Sequence, residues 1–338
     1  MRSFIKHLRK NRIVYAYIGG AILLLSSAIL GLLLGSTKTG FLEVVRVIFG
    51  LDSDDTAAKI ILYVRLPRML AGLLCGGALA LSGTVIQGVL LNKLASPGII
   101  GVNSGAALAV TLAAAFGIIG GWKISLCAFL GAFLTVMAVT VGAKKWEASR
   151  GTVILMGVAL NALFGAISDA VVTFSPEISI INSDFKVGDL SSVTYSELLP
   201  AAIIIITAAA VTLTLRNSLD VLTLGDENAR GLGMNTSLMR AVLLLLSALL
   251  AGAAVSMVGL LSFVGLLVPH TLRKTVTSES KHLLPLTLIF GAGFVSLCDT
   301  LARVIFAPYE LPVGIIMAFI GAPTFLVILV RKRGKRNA

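Results

Sequence analysis

The sequence predicts an all-α membrane protein: one transmembrane domain over residues 1–338, built of ten transmembrane helices. Both termini are expected in the cytoplasm, with a short cytoplasmic helix between spans six and seven. Three observations predict this. Hydrophobic residues make up 57% of the chain and charged residues only 13%, about half the charge of a soluble domain, so most of the chain has no need to meet water. Uncharged runs long enough to cross a hydrocarbon core of about 30 Å recur from end to end. Lys and Arg gather at both ends and at alternate boundaries between the runs, as the positive-inside rule requires.

The first span is residues 13–34, preceded by Arg2, Lys6, Arg9, Lys10 and Arg12. A secretory signal also begins with basic residues, but its apolar region is only about 7–15 residues long; the first span is therefore read as retained. Residues 41–49 form a short interfacial helix on the outer side, in a supporting role. Spans follow at about 69–92, 94–116, 124–143, 151–170 and 198–215. The chain holds nine uncharged runs, an odd number, whereas two basic ends require an even number of crossings. Dividing 94–122 would move Lys144, Lys145 and Arg150 outside. Dividing 241–272 keeps them inside with Arg273, Lys274, Lys281 and the C-terminal cluster of Arg331, Lys332, Arg333, Lys335 and Arg336. The second division gives spans 238–257 and 258–272, followed by 283–302 and 311–330, and places 20 of the 28 Lys and Arg residues inside. A net charge of +12 distributed this way fits loops facing an anionic leaflet and gives no nucleic-acid surface.

The divided run is short for two crossings and interrupted by Gly and Pro, so protein rather than lipid must cover it. Residues 71–106 share this texture. Gly76 and Gly83 echo Gly252 and Gly259, each pair followed by a proline, Pro97 or Pro269. The echo fits an internal repeat of about four spans per half, a habit of transporters; chance recurrence in a Gly-rich chain gives the same pattern. Asp169 and Asp299, near the outer ends of spans, are the acids closest to the apolar runs, whereas an ion-coupled carrier keeps ionisable groups within its spans. No phosphate-binding G-x-x-x-x-G-K-[ST] motif occurs, and no carboxylate pair or His/Cys cluster offers a catalytic residue, a metal site or a cofactor site. Cys75, Cys127 and Cys298 each sit in apolar runs as small hydrophobes, and His270, after Pro269, reads as a helix-end hydrogen-bonding residue. The chain is not itself an enzyme; it is a passage whose energy comes from elsewhere. Asn103, Ser104, Asn161, Ser168 and Thr173 are polar residues able to line that passage or to bond helix to helix.

The inside segment 216–240 carries the most specific pattern. Asp226 and Glu227 open a helical stretch, Arg230 closes it, and Gly231 and Gly233 end it, an order that suits the helix dipole. Such a self-terminated helix is shaped to dock on another protein; an ordinary solvated loop is the plainer reading. The stretch LTLGDENARGLG (222–233) resembles the coupling-helix signature of the permeases that import ferric siderophores, haem and cobalamin (FecCD-type, type II ABC importers). Further stretches agree in order: RLPR (65–68), LASPGIIGVNSGA (94–106), GLLSFVGLLVPHTLR (259–273), CDTLAR (298–303) and ELPVGIIMAFIGAPTFLVIL (310–329). The resemblance covers about residues 10–331. Met317 and Phe319 depart from it by their size, which bears on the last span alone.

The resemblance implies a multi-pass subunit in the bacterial plasma (inner) membrane, with a second permease subunit, identical or paralogous, beside it. Two ATP-hydrolysing subunits would bind on the cytoplasmic side, and an extracytoplasmic substrate-binding protein would dock outside. Leu224, Gly225, Asp226, Glu227, Asn228, Ala229, Arg230, Leu232 and Gly233 would couple to the ATPases. Arg65, Arg68 and Arg303 lie outside, against the positive-inside trend, and match arginines that meet carboxylates of the binding protein. Exposed pairs of that kind contribute about 0–1 kcal/mol each and mainly steer encounter. Headgroup contact, or for Arg303 a pair with Asp299 four residues earlier, would also account for them. The implied cargo is a ferric siderophore, with haem or cobalamin as alternatives. A secondary transporter or channel working without ATP is the alternative of a different class.

Overall fold

The computed structural model describes residues 2–35, 40–48, 50, 56–146 and 148–334. Lys335 and Arg336 of the C-terminal cluster, and residue 49 of the short outer helix, lie outside them. In chain order the α-helices are α1 (Arg2–Leu33), α2 (Phe41–Ile48), α3 (Thr56–Ile60), α4 (Leu66–Val89), α5 (Val102–Ala115), α6 (Gly121–Lys145), α7 (Arg150–Phe174), α8 (Ser179–Val187), α9 (Tyr195–Thr214), α10 (Arg216–Thr223), α11 (Asp226–Gly231), α12 (Thr236–Val258), α13 (Val264–Thr275), α14 (Ser280–Val304) and α15 (Val313–Gly334). Among the described residues, seven helices are long and apolar enough to cross a membrane: Asn11–Leu33, Thr56–Val89, Gly121–Lys145, Arg150–Phe174, Tyr195–Thr214, Thr236–Val258 and Ser280–Val304. Val102–Ala115 and Val313–Val327 are shorter apolar helices, and α13 has only 12 residues.

Helix α4 is the centre of the bundle, packed on α14, α12, α13 and α9. Small residues bring it close. A Cβ on Gly76 would collide with the Gly291 carbonyl of α14, and one on Gly83 with the Gly265 carbonyl of α13. In a membrane, where helices gain nothing by hiding apolar surface from lipid, such backbone approach supplies the dispersion contacts that hold the bundle. Gly105 of α5 meets Gly131 of α6 in the same way. The α4–α14 pairing is matched by an α12–α6 pairing, with α4 and α12 in contact between them, an arrangement in keeping with the repeat read from the glycines.

Of the prolines within the helices, Pro67 and Pro269 each free a carbonyl that takes a side-chain donor in place of the lost N–H. Helix α4 is preceded without a break by a π-helical turn, Ile61–Arg65, and α3. Pro67 has no N–H to donate, so in the π register the Leu62 carbonyl is left open; the Tyr195 hydroxyl donates to it at 2.6 Å. In α13, Pro269 cannot donate to the Gly265 carbonyl four residues back, and Gln87 Nε2 donates instead at 3.0 Å. Gln87 Oε1 in turn accepts from Arg273 Nη1 at 2.9 Å, while Arg273 Nη2 donates to the Thr84 carbonyl at 3.0 Å. Arg273, counted above as a loop cation, is thus a packing partner of α4, and His270 lies mid-helix rather than at a helix end.

Helices α5 and α13 are short because the chain ahead of each is not α-helical. Residues 90–101 run through a loop and a 3₁₀ turn, Pro97–Ile100, to Gly101 at φ +96°. Residues 259–263 end at Phe263, which holds the left-handed φ of +67°. Irregular backbone at membrane depth requires cover by protein or an aqueous cavity, and both segments border cavities.

Candidate functional site

Three clusters gather the residues singled out in the sequence. At the α10–α11 end, the motif 224–233 folds as Leu224 and Gly225, the six-residue α11, and a turn at Leu232 and Gly233, and its two sides differ. Leu224 and Leu232 are 57% and 67% exposed; Glu227, Asn228, Arg230, Gly231 and Gly233 are also exposed. Ala229 is fully buried, and Asp226 points back into the protein. Its two carboxylate oxygens accept from Arg150 Nη2 and Arg240 Nη2, each at 2.7 Å. Burial pushes the Asp226 carboxyl up, but the hydrogen bonds and charges of Arg240 and Arg150 outweigh burial and hold it below the usual carboxylate range. Arg230 is not only a terminal cation, since its Nε donates to the Thr236 hydroxyl at 3.3 Å. Gly225 (φ +100°) and Gly233 (φ +81°) flank the helix in conformations that side chains rarely adopt. Beside it Asp220 of α10 accepts from the Ser280 backbone N–H at 3.1 Å and the Ser280 hydroxyl at 2.6 Å, tying α10 to α14.

At the opposite end lie Arg65, Arg68 and Arg303. The expectation of three arginines on an exposed rim is not met: they are 4%, 4% and 3% exposed, and each is engaged within the chain. Arg65 Nη1 donates to the Leu32 and Leu33 carbonyls at 2.8 and 3.1 Å. Arg303 donates to the Leu34 and Gly31 carbonyls at 3.0 and 3.1 Å. These are the last carbonyls of α1, which have no helical donors of their own, and two cations there also suit the helix dipole. Arg68 Nε donates to both Asp299 oxygens at 3.0 and 3.2 Å, and its Nη1 to Glu310 at 2.6 Å. Arg303 also pairs with Asp299 at 3.2 Å, the i, i+4 pair that the sequence spacing allows. Charges this deep persist because they are paired.

Between the two ends, a cavity of about 440 Å³ brings together four of the five polar residues named from sequence: Asn103, Ser104, Asn161 and Ser168. Thr173 is elsewhere, its hydroxyl donating to the Asp169 carbonyl of its own helix at 2.8 Å. The Ser104 hydroxyl donates to Asn161 Oδ1 at 2.5 Å, and Asn161 Nδ2 donates to the Gly98 carbonyl at 2.9 Å, so Asn161 adds a side-chain donor to a carbonyl that otherwise has only the Gly101 N–H at 3.3 Å. Lys186 of α8 also lines the cavity, and the sequence reading missed it. It pairs with Asp169 at 3.3 Å, both side chains being largely exposed. A second cavity of about 360 Å³ shares Ser96, Gly98, Ile99 and Asn103 and runs on to Leu261–Phe263 and Phe325. The two irregular segments therefore line this second cavity together, the arrangement in which transporters place their sites. Among the described residues no group of His, Cys, Asp and Glu could hold a metal ion.

The FecCD transport family profile matches residues 2–331. The chain belongs to that family. Its relatives include the hemin transport system permease protein of Yersinia pestis, 36% identical over 314 residues spanning 90% of this chain and 94% of that protein. The ferric enterobactin transport system permease protein of Escherichia coli is 34% identical over 323 residues, 95% of this chain and 96% of that one. Among solved structures, a metal-chelate type ABC transporter in an inward-facing conformation superposes with a TM-score of 0.83 at 30% identity, covering 93% of this chain and 98% of its own. The chain of PsaBC from Streptococcus pneumoniae, at TM-score 0.57 and 16% identity, shares the fold. This FecCD protein is a multi-pass plasma-membrane permease of the ABC class. Met317 and Phe319, the two departures in the last span, are respectively fully buried and 75% exposed, so each has a distinct setting.

Proposed function

We propose that this chain is the permease subunit of an ATP-driven importer of ferric siderophore, forming the passage with a second permease subunit, identical or paralogous. The relatives' iron-chelate names support the cargo, with haem or cobalamin as the other chemistries among them. On this reading α5, α13 and α15 join the seven longer helices as ten crossings, with α5 and α13 covered by protein at their irregular starts. Both termini and the α10–α11 end would then lie in the cytoplasm, over one domain of residues 1–338.

The observation that carries the reading is the two-sided motif 224–233. Leu224 and Leu232 offer apolar surface, and Glu227 and Arg230 charge, on the face turned away from the bundle. Two ATPase subunits would dock on that face, one per permease, and hydrolysis would belong to them. On the other side an extracytoplasmic binding protein would deliver the chelate. Arg65, Arg68 and Arg303 would support that surface by holding the end of α1 in place, and Arg68 would reach a docked carboxylate only by releasing Glu310, its 31%-exposed partner.

The test is uptake of a radiolabelled ferric siderophore into proteoliposomes holding the permease, the ATPase and the binding protein. Uptake should require ATP and all three components, and Leu224→Asp with Leu232→Asp should release the ATPase. Uptake by the permease alone, without ATPase, would overturn the reading in favour of a secondary transporter or channel.

A further inference from the structure

Asp226 joins two helices that differ in how firmly the bundle holds them. Arg240 stands on α12, whose span is 72% buried, whereas Arg150 opens α7, whose span is 17% buried in the single chain. Displacing α12 would disturb the core around α4. Displacing α7 disturbs mainly its contacts with α5 and the 3₁₀ turn Pro97–Ile100. The tightest of these is at Gly157, where a Cβ would collide with the Ile99 carbonyl. Cavity residues Val158, Asn161, Gly165 and Ser168 lie beyond that contact on the same helix.

We propose that the Asp226–Arg150 pair passes movement of α11 to α7, which turns about Gly157 as a lever and reshapes the cavity. The inference rests on the ATP-driven reading above. Arg150, Asn161 and Ser168 share one helix face, because 11 and 18 residues are about 3 and 5 turns. Gly157 is 7 residues from Arg150 and 11 from Ser168. A rigid α7 therefore carries Ser168 about 1.6 times as far as Arg150, in the opposite sense, and Asn161 about 0.6 times as far. A shift of about 1 Å at the inner end strains the 2.9 Å bond from Asn161 to the Gly98 carbonyl and opens the Ser168 level further. Arg240 meanwhile anchors the same carboxylate to the fixed helix. Arg150 is a positioning residue in this scheme and touches no cargo.

The experiment uses the full complex of permease, ATPase and binding protein in proteoliposomes, reading ATP hydrolysis and siderophore uptake together. Arg150→Gln should keep hydrolysis within about 2-fold of wild type while uptake per ATP falls at least about 10-fold, and Arg150→Lys should restore most of it. Arg240→Gln should lower both rates in parallel, as loss of an anchor would. Spin labels on F174C, at the far end of α7 and 17 residues from the Gly157 pivot, and on L238C should report an ATP-dependent distance change in wild type that Arg150→Gln abolishes. Unchanged uptake per ATP in Arg150→Gln, or hydrolysis and uptake falling in proportion, would overturn the lever while leaving the ATP-driven reading intact. A wild-type complex whose uptake ignores ATP would overturn the reading, and the lever with it.

Discussion

Asp299→Asn is the sharpest test of the buried arginines. Asp299 is 2% exposed and faces two guanidiniums, Arg68 at 2.9 Å and Arg303 at 3.2 Å, themselves 4% and 3% exposed. The amide preserves shape but removes the charge that offsets two buried cations. Breaking a buried pair by deleting one partner costs about 3–5 kcal/mol, a shift of roughly two to three and a half decades in the folded-to-unfolded ratio. Glu310→Gln serves as the internal control. Its side chain is 31% exposed, and loss of a solvent-facing pair costs about 0–1 kcal/mol. Cys75 and Cys298 provide a native readout, being buried at 0% and 1% exposure, so a thiol-reactive dye labels them on unfolding. Asp299→Asn should unfold at a clearly lower temperature than wild type, and Glu310→Gln close to it. Coincident unfolding curves for Asp299→Asn and wild type would refute the view that this carboxylate holds the two arginines.

Further expectations concern each of the other clusters. Arg65→Glu removes the donor to the Leu32 and Leu33 carbonyls, so stability and uptake should fall together and independently of salt; uptake lost at unchanged stability, and recovered or worsened with ionic strength, would instead mark a docking contact. Gly83→Ala should overpack the α4–α13 contact by about 1–3 kcal/mol, seen as lower yield and dye-reported stability, whereas Gly231→Ala, with open space around it, should change neither. Asn161→Leu removes the side-chain donor to the Gly98 carbonyl, which keeps only the Gly101 N–H at 3.3 Å; it should cost about 0.5–1.5 kcal/mol and depress uptake more than ATP hydrolysis. Asp226 contributes stability that is fully present above the ordinary carboxylate range and is lost as pH falls through its depressed folded value. An acid titration of Asp226→Asn should lack that part of the loss, and identical acid limbs would argue against the clamp.

The positions of the spans were legible because hydropathy and the charges between runs are local properties. Seven helices long and apolar enough to cross a membrane lie within the expected runs, yet the sequence could not tell that α5 and α13 would be shortened by irregular chain at their starts. What escaped was mostly long-range. Arg68 and its partners Asp299 and Glu310 are 231 and 242 residues apart, and spacing along the chain carries no trace of such pairs. An outer-end arginine therefore looked like a surface group. Likewise α11 is too short for periodicity to separate its two sides, so Asp226 and Glu227 looked equivalent although one is clamped and the other exposed. Lys186 was missed because α8 is polar and brief, and only the packing turns its last residues to the cavity. Asn103, Ser104, Asn161 and Ser168 were found because a polar group within a long apolar run needs a partner, and here they partner one another and the broken backbone.

The capping of α1 bears on how the protein is made. The carbonyls of Gly31 and Leu34 receive their donors from Arg303, 272 and 269 residues later in the chain. At ribosomal speeds of about 5–20 residues per second, roughly 15 to 55 s separate synthesis of that helix end from synthesis of its cap. During that interval the end of α1 has only water, lipid headgroups or Arg65 to satisfy it. Helix α1 is thus made well before the cap that fixes it in place. Truncated chains ending before α14 should leave the Leu33 end of α1 open to a membrane-impermeant probe that the finished protein excludes.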